Sequence, residues 1–210
     1  MSVGKARNKQ TRAAHLGPER RRPQVLDAAL KLAVARGSHA VSMEAVAQAM
    51  GVTKPVVYAC FASREELLEA LLAREEQRLF AAVTAALPAR PSFDKPERLL
   101  IEGFQALLKG AAAHADSWQL VFAANADPAV ADRYKQAREQ VAQQVGTLMA
   151  PGLRLWGIQD VPRKLPVLVE FFMSAGDGAV RTLVNGQGQW TPEELGALVG
   201  RIVHGALRKA

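Results

Sequence analysis

The sequence predicts an all-α protein with a small N-terminal domain and a larger C-terminal helical domain. Alanine is abundant, aromatic residues make up 6%, and runs of β-branched residues are few, so the composition favours helix. Apolar residues recur every three or four positions, and no segment is typical of a strand. With 210 residues, 49% of them hydrophobic, the chain can bury a substantial core.

The first helix is predicted to begin at Arg20 and to end at Gly37, a residue suited to a helix C-terminus. Residues 1–19 before it are polar and basic, and we interpret them as a flexible arm. The apolar positions of the helix are Val25, Leu26, Ala29, Leu32 and Ala33.

Two short helices follow, separated by a glycine turn. Met43, Val46 and Ala47 have helical spacing, and the pattern breaks at Gly51. Thr53 is placed to cap a second helix that runs to about Phe61. Two short helices joined by such a turn are typical of a helix-turn-helix, whose second helix enters the major groove of DNA.

A longer helix opens with a capping box formed by Ser63 and Glu66 and ends near the paired prolines of 87–91. We place the domain boundary inside this helix, at about residue 80. The N-terminal domain is then 20–80 and the C-terminal domain 81–210.

The C-terminal domain is predicted to contain five more helices. Asp94 and Glu97 can box the next helix, Ser117 can cap a segment from Trp118 to Ala124, and Asp127 precedes a helix that runs to about Met149. We interpret 151–162, which contains Trp156, as a connection. The last two helices span roughly 162–185 and 192–208, and a capping box begun by Thr191 opens the second.

The charge is divided unevenly along the chain. Residues 1–64 hold 11 Lys and Arg against 3 Asp and Glu, whereas 65–210 hold 16 against 17. The basic excess therefore falls on the segment with the two short helices, and it predicts a polyanionic partner. Two alternatives stay open: the basic tail only solubilises the chain, or the protein is a helical adaptor that binds an anionic membrane or protein.

The sequence predicts neither an enzyme nor a cofactor. Its four histidines are scattered, no spacing of His, Cys, Asp or Glu indicates a metal site, and the glycines at 186–188 lack a phosphate-loop pattern. A single cysteine, Cys60, excludes an intrachain disulfide. No apolar run approaches the ~18 residues of a membrane span. We expect a soluble cytoplasmic protein without a membrane partner.

From residue 20 to about 72 the sequence resembles the TetR family of transcriptional regulators. The matching positions are Val25, Leu26, Ala28, Ala29, Leu32, Gly37, Ser42, Val46, Ala47, Met50, Gly51, Val52, Thr53, Val57, Tyr58, Phe61, Ser63, Arg64, Glu65 and Leu67. The resemblance covers a quarter of the chain. It implies a homodimer whose subunits each have a DNA-binding domain and a helical body that binds an effector and dimerises.

The resemblance also implies which residues meet a palindromic double-stranded operator. By position, they are Ser42, Thr53, Lys54, Pro55, Val56, Tyr58 and Arg64. The chain departs from the family pattern at Ala59 and Cys60, where His-Tyr is common, and at Arg64, where Lys is commoner. Since the second helix then has few donors for base edges, we expect discrimination by Lys54, by methyl contacts of Val56 and by DNA shape.

Two further sets of residues are predicted in the C-terminal domain. Candidates for lining an effector cavity are Phe104, Trp118, Phe122, Trp156, Phe171 and Met173. The resemblance suggests that the last two helices and their symmetry mates form a four-helix bundle, and the candidates for this dimer interface are Phe172, Ala175, Ala179, Leu195, Val199 and Ile202. The alternative for both sets is a core within one subunit. The expected function is repression, relieved by a small-molecule effector of unknown identity.

Overall fold

The structure, a computed structural model, describes residues 17–124, 128–186 and 188–210. These residues form nine α-helices and a short 3₁₀ turn at Ser38–Ala40 without any β-strand, so the all-α prediction is confirmed. The helices are α1 (Pro18–Arg36), α2 (Met43–Met50), α3 (Lys54–Tyr58), α4 (Arg64–Ala86), α5 (Pro96–Ala113), α6 (Ala115–Ala124), α7 (Pro128–Leu155), α8 (Val161–Asn185) and α9 (Pro192–Leu207).

The chain divides into two compact units inside α4. The first unit ends at Leu68 and the second spans Glu69–Ala210. The division falls earlier than the predicted position near residue 80. Because α4 contains neither glycine nor proline, its sequence offers no mark at either position.

In the first unit, α1 begins two residues before the predicted Arg20. Pro18 occupies its first turn, where a missing N–H costs nothing and the fixed φ suits a helix. Pro18 and Glu19 are thus helical, which corrects the end of the predicted arm; residues 1–16 lie outside the described residues. The side chains of this unit's core are buried: Val25, Ala29, Val46, Val57, Phe61 and Leu67.

The helix α3 is shorter than predicted and is not capped by a side chain. It ends at Tyr58, and a turn through Ala59 and Cys60 replaces the expected last residues. Thr53 occupies the cap position but its hydroxyl makes no cap hydrogen bond. A cap oxygen would need the N–H of Pro55, which has none, or that of Val56, which donates to the Thr53 carbonyl at 3.0 Å.

The predicted capping box of α4 is half present. The N–H of Glu66 donates to Ser63 Oγ at 3.2 Å, but the Glu66 carboxylate accepts from the N–H of Ala62, at 2.7 Å, in place of the Ser63 N–H. The helix ends at Ala86, just before the paired prolines, as predicted.

Two of the predicted caps in the second unit are wrong. Asp94 does not cap α5, which begins at Pro96; its carboxylate accepts from Ser92 Oγ at 3.1 Å. Ser117 lies inside α6 because the helix starts at Ala115, and its hydroxyl is buried against another helix. The predicted cap Asp127 lies outside the described residues.

The predicted connection at 151–162 is also wrong, since α7 continues through Pro151 to Leu155. An internal proline removes one helix hydrogen bond. The packing beyond it outweighs this loss: Leu153 is fully buried, and a Cβ on Gly152 would meet the Phe93 ring at 2.6 Å. Only 156–160 separates α7 from α8.

The last two helices match their predicted bounds closely, and the Thr191–Glu194 capping box is confirmed. The helix α9 lies against α5 at very short range. A Cβ on Gly200 would come within 2.6 Å of the Ile101 backbone, so the close approach requires glycine. Among the described residues, no helix is both long and apolar enough to cross a membrane.

Candidate functional site

The two short helices of the first unit form a helix-turn-helix around a left-handed glycine. Gly51 has φ +65° and ends α2, and the N–H of Val52 donates to the Ala47 carbonyl at 3.0 Å. Met43, Val46 and Ala47 bury the inner face of α2, and Val57 buries that of α3. The turn therefore holds α3 with its opposite face towards solvent.

The exposed face of α3 and the turn before it carry most of the residues predicted to contact DNA. Thr53, Lys54 and Pro55 are exposed, Val56 is half-buried, and Tyr58 retains 47% of its surface. Lys54 Nζ lies 4.0 Å from Glu44 Oε2, an exposed pair that salt screens readily. The structure thus leaves four of these five side chains exposed on α3 and at its start.

Ser42 lies at the start of α2. Its Oγ accepts a hydrogen bond from the N–H of Ala45 at 3.1 Å. A hydroxyl that accepts can still donate, so this cap is compatible with a second contact to an anion.

Arg64 is directed at backbone carbonyls in front of α2. Its Nε donates to the Val41 carbonyl at 2.7 Å and its Nη2 to the Ser38 carbonyl at 3.0 Å. These bonds join the start of α4 to the segment that leads into α2. The predicted contact of Arg64 with the DNA backbone would have to be made by its remaining donors.

Arg22 is a positioning residue that the sequence did not single out. Its Nη1 donates to the Cys60 carbonyl at 2.6 Å, its guanidinium lies 4.2 Å from the centre of the Phe61 ring, and its Nη2 is 3.7 Å from Glu66 Oε1. It thereby fastens α1 to the turn that follows α3. In the sequence Arg22 adds only to the basic charge of residues 1–64, because nothing there pairs it with Phe61.

Cys60 is buried in the same turn. Its Sγ donates to the carbonyls of Val56, at 3.5 Å, and Pro18, at 3.6 Å. Burial raises the pKa of the thiol, against the opposing effect of Arg21 and Arg22. These features fit a small packing residue.

The second unit contains an apolar cavity of about 140 Å³, which we call the first cavity. Four of the six residues proposed for an effector site, Phe104, Trp118, Trp156 and Met173, line it. Two predicted residues do not. The ring centre of Phe122 lies 5.1 Å from that of Trp118, and the Arg181 guanidinium lies over the Phe122 ring. Phe171 is exposed on α8.

A smaller cavity of about 80 Å³, the second cavity, shares part of this wall. The residues that line both are Val83, Trp118, Val141, Met173 and Asp177. The second cavity is also lined by four polar residues that the sequence did not predict there, Glu76, Arg133, Tyr134 and Arg138. They lie on α4 and α7, and their spacing along the sequence gives no sign that they meet.

The polar side of the second cavity is a connected network. Asp177 accepts from Tyr134 Oη at 3.2 Å and from Arg138 Nε at 2.9 Å. Arg138 also makes two bonds, of 2.9 and 2.8 Å, to the exposed Glu170. Burial, followed by the charge and hydrogen bond of Asp177, raises the pKa of Tyr134 to about 12, so its phenol stays protonated.

Next to the cavities, a fully buried carboxylate joins α4 to α6. Glu75 accepts from Arg74 Nε at 2.6 Å and from Arg78 Nη1 at 3.3 Å. It also accepts from Ser117 Oγ at 2.6 Å. Trp118, which follows Ser117 in α6, lines the first cavity. Neighbouring residues of α6 therefore contribute to the cavity wall and to the bond with α4.

Most residues predicted for the dimer interface pack inside the subunit. Ala179 and Leu195 are buried, and Phe172, Ala175 and Val199 pack against the core, with Phe172 lining the first cavity. Ile202 is 57% exposed. The phase of α8 differs from the prediction, so Val167 and Phe171, in place of Phe172 and Ala175, face outwards. We call Val167, Phe171 and Ile202 the outer apolar face.

Comparison with known proteins adds a family match and two kinds of relative. Residues 25–71 match the model of the bacterial regulatory proteins of the tetR family. The HTH-type transcriptional activator FasR of Mycolicibacterium smegmatis is 34% identical over 143 residues. The match covers 66% of this chain and 63% of FasR, less than two thirds of that relative.

Solved structures share the fold over nearly the whole chain. A TetR-like transcriptional regulator from Rhodococcus sp. RHA1 has a TM-score of 0.70 at 22% identity, covering 93% of this chain and 100% of that one. The multidrug binding protein EbrR, solved with malachite green, has a TM-score of 0.60 at 23% identity, covering 89% of this chain and 97% of EbrR. At these identities the likeness concerns the fold alone.

Proposed function

We propose that this chain, whose residues 25–71 match the tetR family and whose fold is that of TetR-like regulators, is a sequence-specific DNA-binding transcriptional regulator. The observation that carries the proposal is the exposed face of α3, held out by a buried helix-turn-helix within the basic part of the chain. Binding to the bacterial chromosome would place the protein in the cytoplasm.

The proposed DNA contacts divide by chemistry. Hydroxyls of Ser42, Thr53 and Tyr58 are suited to phosphate oxygens, because the first two lie at helix N-termini, where anions are favoured. Lys54 and Pro55 would enter the groove with α3. Val56 is half-buried, so its methyl groups have less surface for a base than the sequence implied.

We propose that the protein acts as a homodimer on a palindromic operator. Val167, Phe171 and Ile202 support this, because these large apolar side chains are exposed on the two helices where the resemblance places a partner subunit. The α3 helices of the two subunits must then lie about 34 Å apart, or a multiple of that, to enter successive major grooves.

A small-molecule effector is proposed to bind in the first cavity. Its apolar lining and the binding of malachite green by EbrR, a protein of similar fold, support this. A ligand that moves Trp118 would also strain the bond between Ser117 and Glu75, and Glu75 lies on the helix that begins at Arg64. A coupling of ~1–3 kcal/mol between the two sites is typical of allosteric proteins.

The proposed outcome of binding is repression, because a dimer on a promoter blocks polymerase. Activation is the second candidate, and the name of FasR as a transcriptional activator favours it. A promoter–reporter fusion with and without the protein distinguishes them: a higher signal without the protein supports repression, and a lower signal supports activation.

The DNA-binding proposal is tested by selecting bound DNA from a random duplex pool and measuring its affinity by fluorescence anisotropy. We expect an enriched palindrome that binds at least about a thousandfold more tightly than random duplex. Equal, salt-dependent binding to random DNA and to anionic vesicles would instead support the adaptor alternative.

A further inference from the structure

The wall between the two cavities contains a donor without an acceptor. Trp118 is 6% exposed and lines both cavities, and its Nε1 is buried with no hydrogen-bond partner among the described residues. Trp156, which lines the first cavity, differs: its Nε1 donates to the Phe93 carbonyl at 3.0 Å. Buried indole N–H groups usually find such a partner.

Glu76, which lines the second cavity, has an acceptor without a donor. Glu76 Oε2 accepts from Arg133 Nε at 2.9 Å, whereas Glu76 Oε1 is buried and has no partner within the described part of the chain. Leaving both groups unpaired is costly in a low-dielectric interior. A group that accepts from Trp118 and donates to Glu76 would satisfy them together.

The charges around the second cavity are already paired. Glu76 is bonded to Arg133 and Asp177 to Arg138, and all four residues line the cavity. Glu170, whose carboxylate also accepts a hydrogen bond from Arg138, is exposed to solvent. A charged ligand group would lose its hydration here without gaining a free counter-ion.

We propose that the effector is an uncharged, mainly apolar molecule with one hydroxyl or amide group. Its apolar body occupies the first cavity, and its polar group lies in the second, between Trp118 and Glu76. Hydroxyl and amide groups both donate and accept, as the two unpaired atoms require. This inference rests on the proposed ligand-responsive function and specifies the chemistry of its ligand.

The test compares four probes with the same eight-carbon chain, titrated into the full-length protein by calorimetry without DNA. They are octan-1-ol, 1-methoxyoctane, octanoate and octylammonium. We expect octan-1-ol to bind about tenfold more tightly than 1-methoxyoctane, which accepts but cannot donate. Both charged probes should bind more weakly than the alcohol. Equal binding of alcohol and ether, or preference for a charged probe, overturns the inference without any variant.

A matched pair of variants then locates the polar group. Trp118→Phe keeps an aromatic ring and removes the unpaired N–H, so it should weaken octan-1-ol binding about tenfold. Trp156→Phe removes an N–H that the protein already satisfies, and it should change this affinity less than about twofold. Equal effects of the two substitutions, in variants with native circular dichroism, would contradict the assignment to Trp118.

The outcome is separable from that of the DNA-binding proposal. Because the titrations contain no DNA, an alcohol preference that depends on Trp118 supports the inference even where no palindrome is selected. A selected palindrome together with equal binding of alcohol and ether supports the regulator and overturns the ligand class.

Discussion

Among the residues of the first unit, Arg64 and Lys54 carry the same charge but have different neighbours. Arg64 bonds two backbone carbonyls, whereas Lys54 extends from the first turn of α3 and its Nζ lies 4.0 Å from the exposed carboxylate of Glu44. A cation engaged by carbonyls positions a helix, and an exposed one can meet DNA. The salt dependence of DNA binding separates these roles, since each phosphate that a cation neutralises adds to the salt slope.

Arg64→Ala is expected to weaken operator binding without a change in the slope of log K against log salt. Arg64→Lys should fail to restore the affinity, because one ammonium cannot reproduce the guanidinium's two bonds to the Val41 and Ser38 carbonyls. Anisotropy titrations at several salt concentrations measure both quantities. A reduced slope in Arg64→Ala, restored by Arg64→Lys, would show a phosphate contact instead.

Lys54→Ala tests the other cation. If Lys54 neutralises a phosphate, the salt slope should fall by about 1; if it reads guanine, preference at one base position should relax. The same titrations, repeated on operators with single base changes, distinguish the two. An unchanged slope and unchanged preference would exclude both roles.

Tyr134 should make stability depend on alkaline pH. Its folded pKa, about 12, exceeds the usual value of 10, so the protonated phenol stabilises the fold fully below pH 10. That contribution is lost as pH rises from about 10 to 12. Urea unfolding across this range should show a steeper decline for the native chain than for Tyr134→Phe. Parallel declines would mean that Tyr134 titrates normally.

At the scale of elements, helix ends set by local chemistry were predictable and those set by packing were not. Gly51 and the Thr191–Glu194 box act within a few residues, and their positions were correct. Ser117 has the residue type of a cap, but its partner Glu75 lies on another helix. Pro151 is tolerated because Leu153 beyond it is buried. Contacts between residues far apart in the sequence therefore determine both the place of Ser117 inside α6 and the continuation of α7 through Pro151.

The bond between α4 and α6 is expected to stabilise the second unit. Ser117→Ala leaves the buried Glu75 carboxylate with one donor fewer and should lower the free energy of unfolding by about 1–3 kcal/mol. Ser174 is the matched control, since its Oγ bonds the exposed Glu170 at 3.2 Å. Ser174→Ala should change stability by no more than about 0.5 kcal/mol. Equal effects in chemical denaturation would contradict a special role for the buried bond.

For the whole molecule, the family resemblance suggested that the last two helices form a dimer interface, but the helical pattern did not show which of their residues face outwards. Adjacent residues on a helix point about 100° apart, so a helix that turns Phe172 into the core turns Phe171 away from it. Both are apolar, and the pattern alone does not orient them. In the fold Phe172 lies 5.0 Å from Phe104 in the cavity wall, while Phe171 is exposed. The proposed interface therefore shifts to the outer apolar face.

Charge on the outer apolar face should separate the subunits. Phe171→Glu and Ile202→Glu each place a carboxylate where a second subunit would bury it, so sedimentation should show monomers. Leu155→Glu is the control, because Leu155 is 73% exposed but lies on α7, outside the two helices proposed for the interface. The two monomeric variants should also lose operator binding, since one half-site supplies too few contacts. Dimers that survive both substitutions would place the interface elsewhere, and monomers that bind the full palindrome with native affinity would remove the need for a dimer.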